Sequence, residues 1–312
     1  MKNLLIYSTE DSAYFAELIG QALGIAPSKI ERNAFGDGEL YHRLGIKDSS
    51  ELFGKTVIFA ASTHSDKAFD ELEKIGQALA EAGTARRIFV IPFFGYSTME
   101  RAVLPGEMVS AKINARRLSN IAGTDRGNVF LLLDLHVSGI LHYFEGDCLR
   151  YELSAAELFS QAINELKLKN FVFGTADLGR TKLVETFTNQ YKTEIVFVRK
   201  TRDFKKTQVT NVIGEVKGKT IIIYDDMTRS GGTLIHAAKA YLDNGAKEIY
   251  AVLSHLALNN ESIIKRLEKS PIKKIIATNS HPMSQNKLAK RSKKIIIKDI
   301  SVEFVNIIKK LI

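Results

Sequence analysis

Residues 218–233 read GKTIIIYDDMTRSGGT. The run Ile221–Tyr224 has the β-branched, continuously apolar character of a buried strand, and Asp225 and Asp226 stand at its carboxyl end. Ser230, Gly231, Gly232 and Thr233 then turn the chain into a helix. Glycine lets the backbone approach an anion closely, and the free N–H groups of a first helical turn point at it. The hydroxyls of Ser230 and Thr233 add donors. Sheets of α/β proteins place their ligands at the carboxyl ends of strands. The stretch therefore forms a monophosphate cradle beside two carboxylates, a pairing suited to the 2- and 3-hydroxyls of a ribose whose 5-phosphate occupies the loop. Two aspartates that merely cap a turn would explain neither the acid pair nor the glycines at this spacing.

The same grammar runs through the chain. LLIYS, TVIFAAS, RIFVIPFF, NVFLLLD, NFVFGT, EIVFV, TIIIYDD, EIYAVLSHL and KIIAT read as strands, and residues 11–23, 66–82, 110–121, 153–166, 179–190, 232–243 and 300–311 read as helices. Near-continuous apolar runs between helical patterns indicate buried parallel strands, hence an α/β fold with mainly parallel sheets flanked by helices. GKTVIFAAS at 54–62 repeats as GKTIIIYDD at 218–226, and each copy continues through a helix and a Gly-containing turn to another strand. Two similar domains are expected, 1–148 and 149–312. Only the second copy carries the acid pair and the glycine cradle.

The 312 residues are 45% hydrophobic and 25% charged, with 5 Pro and no Trp, the composition of an ordinary globular chain large enough for two cores. No run approaches the roughly 18 apolar residues of a membrane span, so no membrane partner is expected and a cytoplasmic location is. Cys148 is the single cysteine, which excludes an intrachain disulfide. The net charge of +9 suits nucleic acid or small polyanionic substrates alike. The densest basic cluster, KLAKRSKK at 287–294, lacks interleaved aromatics and reads as a solvated helix end, so nucleic acid is not expected as a partner.

The segment around Asp225 and Asp226 resembles the phosphoribosyl-pyrophosphate motif shared by type I phosphoribosyltransferases and ribose-phosphate pyrophosphokinases. AFGDGELYHRL, FFGY, SAKINARRLSNIAG, LLLDLHVSGILHYFEG and ATNS resemble pyrophosphokinase segments in their proper order. The resemblance covers nearly the whole chain. It implies two tandem phosphoribosyltransferase-like domains and transfer of the β,γ-diphosphate of ATP to the anomeric hydroxyl of ribose 5-phosphate, with magnesium as cofactor.

The same resemblance implies roles for particular residues. Asp225, Asp226, Ser230, Gly231, Gly232 and Thr233 would hold the ribose phosphate, and Arg229, within the same loop, is placed with them by its charge. His136, in DLH at 134–136, would serve the magnesium–ATP complex, and Asp177 would help hold a second magnesium near the ribose. Phe35, Asp37 and Glu39 match a loop that holds adenine in a neighbouring subunit, a ring to stack and carboxylates to accept from the amino group. That match implies a homo-oligomer built on dimers, up to a hexamer. Lys200 and Arg202, in VFVRKTRDFKK, match the Lys-x-Arg of a flexible catalytic loop that stabilises the transition state; as a bare sequence, a solvated basic loop remains the alternative there.

Two positions depart from the family pattern. After FFGY the family reads Ala-Arg-Gln-Asp, whereas this chain has Ser97, Thr98, Met99 and Glu100, which leaves Arg101 as the cation expected to reach ATP. Arg229 replaces a residue that is usually acidic. These departures keep two alternatives open: the same chemistry on a larger acceptor such as ADP-ribose, whose second phosphate would suit an added guanidinium, and a non-catalytic regulatory paralogue.

Overall fold

The computed structural model describes residues 3–123, 126–176, 181–203 and 206–312, and the side chains among them except those of 181–183, 199–203 and 206–211. The chain divides into two units, Met1–Leu153 with Ser301–Ile312, and Ser154–Ile300.

The first unit begins with β1 (Leu4–Ser8), α1 (Ala13–Leu23) and an antiparallel hairpin of β2 (Ile30–Ala34) and β3 (Leu40–Leu44). It continues with β4 (Thr56–Ala60), α2 (Asp66–Glu81), β5 (Arg86–Ile91), α3 (Ser110–Ser119), β6 (Asn128–Leu133) and β7 (Cys148–Leu153). Its sheet is wholly parallel, in the order β1-β4-β5-β6-β7. Val57 to Ala60, Ile88 to Ile91 and Val129 to Leu132 are fully buried, as apolar runs covered on both faces must be. Phe89 and Phe130 stack in that core with ring centroids 5.0 Å apart.

The second unit contains α4 (Ala156–Glu165), β8 (Phe171–Thr175), α5 (Thr181–Tyr191), β9 (Ile195–Asp203), β10 (Lys206–Ile213), β11 (Thr220–Met227) and α6 (Gly232–Asp243). β12 (Glu248–His255), α7 (Glu261–Glu268), β13 (Lys274–Thr278), α8 (Lys287–Arg291) and β14 (Ile295–Lys298) complete it. The seven strands run β10-β9-β8-β11-β12-β13-β14, parallel except for β10 against β9. β11, the strand of the opening motif, is thus flanked by parallel neighbours on both sides.

Three features differ from the sequence reading. The units divide after Leu153 rather than Cys148, because CLRYEL pairs with β6 from Asn128↔Cys148 to Leu133↔Leu153 and so finishes the first sheet. The last helix, α9 (Ser301–Leu311), belongs to the first unit, where Phe304 meets Phe15 of α1 edge-on at 5.5 Å. Around Lys200 and Arg202 the backbone is a β-hairpin rather than a loop, since β9 extends to Asp203 and pairs with β10. The β-branched Thr201, Thr207 and Val209 favour that extended backbone. The cluster at 287–294 is a short helix, α8, and its exit, with Ala289 buried and Lys287, Lys290 and Arg291 exposed.

Candidate active site

In the second unit β11 carries Asp225 and Asp226 to the carboxyl edge of the sheet, level with Leu253 of β12. Strand alternation separates the two acids: Asp226 is buried at 2% exposure, whereas Asp225 is half-buried. Asp225 Oδ1 accepts the Asp226 N–H at 3.0 Å, which fixes the outer carboxylate against its own backbone. The chain then leaves the sheet. Thr228 N–H donates to the His255 carbonyl at 3.3 Å, and the Arg229 carbonyl accepts from Asn259 N–H at 3.1 Å. The two bonds tie the loop to the end of β12 and to the segment after it.

Arg229, Ser230 and Thr233 are exposed around the mouth of the loop. Ser230 Oγ accepts from Gly232 N–H at 3.3 Å. Gly231 is in the left-handed region at φ 69° and is the N-cap of α6, so the amides of Gly232 and Thr233 open the helix. Those amides and the positive helix end are features that suit an anion.

Two sets of residues that support this loop escaped the sequence reading. Ile263 and Leu267, one turn apart on α7, stand directly against Gly231: a Cβ there would lie 3.4 Å from Ile263 Cγ2 and 3.1 Å from Leu267 Cδ2. Behind the strand ends, His255 Nδ1 lies 2.7 Å from Ser280 Oγ, Thr278 Oγ1 donates to the Ser254 carbonyl at 2.6 Å, and Tyr224 and Ser254 hydroxyls are 3.3 Å apart. This buried polar network holds the edge of β12 beside the acid pair. Its signals were present as SHL and TNS, but nothing local said that they meet.

In the first unit Phe35, Asp37 and Glu39 occupy the tip of the β2–β3 hairpin, all exposed, with Phe35 edge-on to Tyr41 at 6.1 Å. The tip is shaped by Phe35 N–H to Glu39 O at 2.8 Å and Glu39 N–H to Asp37 Oδ1 at 3.0 Å. The base of the hairpin is tied to the sheet by Arg32, which donates to Glu71 Oε1 of α2 at 2.6 Å and to the Ser8 carbonyl at 2.7 Å. Glu71, 4% exposed, also accepts the Glu10 N–H at 3.1 Å, and His42 Nε2 lies 4.0 Å from it. Burial holds the His42 imidazole below its ordinary pKa, against the upward pull of Glu71.

His136 follows β6 in a turn that begins at Asp134, a buried residue at φ 37°. Asp134 N–H donates to the Leu153 carbonyl at 3.0 Å and Leu135 N–H to Glu152 Oε1 at 2.9 Å, so β7 enforces the uncommon backbone. His136 itself is half-buried. Arg101 is exposed and pairs with its neighbour Glu100 at 3.5 Å. Asp177 lies outside the described residues, as do the side chains of Lys200 and Arg202. The structure thus gathers the seven ribose-phosphate candidates at one strand–loop–helix junction and the three adenine candidates on one hairpin tip, with Arg101 and His136 on separate loops.

Among the described residues no group of three or more His, Cys, Asp or Glu side chains is placed to hold a metal ion. Magnesium needs no such cage, because it commonly sits on one or two carboxylates and completes its shell with substrate phosphates and water. Oxygen donors at a strand end beside a phosphate cradle fit that demand.

A mainly parallel sheet whose strand delivers paired acids into a glycine loop and helix, in a chain of two α/β units of which the second carries that motif, is a phosphoribosyltransferase-type architecture. The chain matches the N-terminal domain of ribose phosphate pyrophosphokinase over residues 4–122 and the phosphoribosyl synthetase-associated domain over residues 185–312. A ribose-phosphate pyrophosphokinase of Gloeobacter violaceus is 31% identical over 286 residues, 90% of this chain and 83% of the relative. That of Bacillus subtilis is 28% identical over 305 residues, 97% and 93% of the two chains. Ribose-phosphate pyrophosphokinase 1 of Listeria monocytogenes is 32% identical over 286 residues, 91% and 87%. The phosphoribosylpyrophosphate synthetase of Mycobacterium smegmatis shares the fold with a TM-score of 0.87 at 24% identity, over 99% of this chain and 98% of that one. The chain belongs to the ribose-phosphate pyrophosphokinase family.

Proposed function

We propose that the protein transfers the β,γ-diphosphate of ATP to the 1-hydroxyl of ribose 5-phosphate, giving phosphoribosyl pyrophosphate and AMP. The observation that carries this reading is the β11 motif: a buried strand ending in Asp225 and Asp226, then a left-handed glycine and a helix N-terminus. The names of the relatives point to ribose phosphate as acceptor and do not favour the larger ADP-ribose. Among the described residues no observation favours the alternative of a non-catalytic paralogue.

The acid pair receives the ribose 2- and 3-hydroxyls, and the amides of Gly232 and Thr233, with the Ser230 and Thr233 hydroxyls, receive the 5-phosphate. So held, the 1-hydroxyl oxygen attacks the β-phosphorus in line. The bond from that phosphorus to the α,β-bridging oxygen breaks, AMP departs, and the hydroxyl proton passes to solvent. Magnesium, when bound, neutralises phosphate charge; His136 and Asp177 are the residues we assign to it. Lys200 and Arg202 supply positive charge to the transferring group. Phe35, Asp37 and Glu39 hold adenine, with Phe35 as the stacking ring. Its exposure of 57% on a hairpin tip suits use by a second copy of the chain, and so a homo-oligomer built from dimers. Arg101 meets the nucleotide phosphates, and Arg229 faces the ribose phosphate.

No helix among the described residues is long and apolar enough to cross a membrane. The decisive experiment incubates the purified chain with magnesium–ATP and ribose 5-phosphate. Stoichiometric AMP and phosphoribosyl pyrophosphate are expected; ATP consumed without phosphoribosyl pyrophosphate, or not at all, overturns the assignment.

A further inference from the structure

Arg266, a residue of α7 remote in sequence from the loop, reaches the same helix N-terminus. A Cβ built on Gly232 would lie 3.3 Å from an Nη atom of Arg266, so the guanidinium stands against the first residue of α6. The placement follows from the helix. Ile263, Ile264 and Leu267 form the buried face of α7, and Ile263 and Leu267 press on Gly231. Arg266 adjoins that stripe, and its long apolar stem can follow it to the loop. A cation in the last turn of a helix also complements the helix dipole. Lys265 has that same last-turn position, yet only Arg266 is brought against the glycines. Its guanidinium has no ion pair or hydrogen bond among the described residues, and a planar donor fork matches two oxygens of a phosphate.

We propose that Arg266 is a phosphate-binding residue of the ribose 5-phosphate site, donating from α7 to the 5-phosphate oxygens opposite the amides of Gly232 and Thr233. The proposal rests on the β11 loop being the ribose-phosphate site. It gives α7 two tasks, since the helix that shapes the loop through Ile263 and Leu267 also supplies a charge that recognises its ligand. Discrimination follows from it: an acceptor with a 5-phosphate gains from Arg266, and one without does not.

The test compares wild type, Arg266→Gln, Arg266→Lys and, as a control on an exposed neighbour, Lys265→Gln. A charge-assisted bond to phosphate contributes roughly 1.5–3 kcal/mol, which corresponds to about 10- to 100-fold in affinity. Arg266→Gln should raise the KM for ribose 5-phosphate by that factor, with the KM for ATP within twofold, while Arg266→Lys recovers part of the loss and Lys265→Gln none is lost. Against unphosphorylated ribose as acceptor, the residual kcat/KM should be the same in wild type and Arg266→Gln. An unchanged KM for ribose 5-phosphate, or equal losses with both acceptors, overturns the proposal. If wild type forms no phosphoribosyl pyrophosphate, the functional reading fails by itself, and calorimetric titration of ribose 5-phosphate still decides on Arg266. Tight binding to wild type weakened in Arg266→Gln sustains it; equal or absent binding overturns it.

Discussion

Leu267 of α7 lies so close to Gly231 that a methyl group on that glycine would stand 3.1 Å from its Cδ2. Gly231 also sits at φ 69°, a conformation that costs a residue with a side chain roughly 1–2 kcal/mol. The glycine is therefore required twice, by the turn and by the helix behind it. Gly231→Ala should lower the unfolding midpoint and raise the KM for ribose 5-phosphate at least tenfold. Gly232 makes no such demand, because its added methyl would meet only the movable end of Arg266 and the Ser230 hydroxyl. Thermal unfolding of the two alanine variants checks the difference, and equal midpoints would contradict it.

A second prediction concerns the hairpin that presents Phe35. Arg32 and Glu71 meet at 2.6 Å with Glu71 almost wholly buried, and Glu71 also accepts the Glu10 amide. Glu71→Gln leaves the guanidinium without its carboxylate and should cost about 2–3 kcal/mol, less than the loss of one partner from a fully buried pair because Arg32 keeps some contact with water. Loosening the base of the hairpin should weaken ATP more than ribose 5-phosphate. Steady-state KM values for both substrates measure this, and a selective loss of ribose 5-phosphate would refute it.

His42 on the same hairpin predicts a pH dependence. Its pKa is lowered, first by burial and further by Arg32, Lys74 and Lys67, with Glu71 opposing. The unfolded chain takes up the proton near pH 6.5 and the folded chain only below that, so between the two values the unfolded state binds more protons. The contribution is fully present above about pH 6.5 and is lost as the pH falls toward the folded value. Urea midpoints at pH 7.5 and 5.5 should differ less in His42→Gln than in wild type; identical differences would show that His42 does not report on folding.

Much of this organisation was legible because it is local. The repeat of GKT was read from the sequence alone, and in the structure Gly218 N–H bonds Gly245 O at 2.8 Å just as Gly54 N–H bonds Gly83 O at 2.9 Å. The acid pair, the glycines and the strand before them are contiguous, so one strand and one turn bring them together. What stayed hidden is non-local. Leu267 and Arg266 lie more than thirty residues beyond the loop they support, Glu71 and Arg32 belong to a helix and a hairpin with no shared motif, and α9 was visible as a helix while its packing on α1 was not. The hairpin of β9 and β10 was hidden for another reason: a run of basic residues reads as a solvated loop until the β-branched residues between them find a partner strand.

Metal removal provides a further check. Phosphoryl transfer places several negative charges within a few ångströms, which a divalent cation neutralises, and of the two residues assigned to magnesium Asp177 supplies the hard oxygen that it prefers. EDTA should abolish turnover, and added magnesium should restore it. Asp226→Asn should raise the KM for ribose 5-phosphate while leaving the magnesium concentration for half-maximal rate nearly unchanged, and His136→Ala should do the reverse. Turnover that survives EDTA would discard the assignment of His136 and Asp177.

The last prediction concerns the β9–β10 hairpin, where Lys200 pairs with Val209 and Arg202 with Thr207 in backbone register. Transfer of a diphosphate is mainly a matter of position and charge, so cations that meet the charge developing in the transition state are worth more to kcat than to binding. A single preorganised donor of this kind typically contributes about 100-fold or more in turnover. Lys200→Ala and Arg202→Ala should each lower kcat by that order while the KM for ribose 5-phosphate stays within a few-fold, because the β11 loop assigned to the sugar is untouched. Backbone pairing adds a second expectation. Proline at position 209 removes an N–H from the hairpin and blocks its ladder. If the hairpin presents both cations, Val209→Pro should lower kcat about as far as the loss of both side chains, with the unfolding midpoint nearly preserved because β10 is the outermost strand of its sheet. Near-normal turnover in both alanine variants would remove Lys200 and Arg202 from catalysis, and normal turnover in Val209→Pro would remove the hairpin from their presentation.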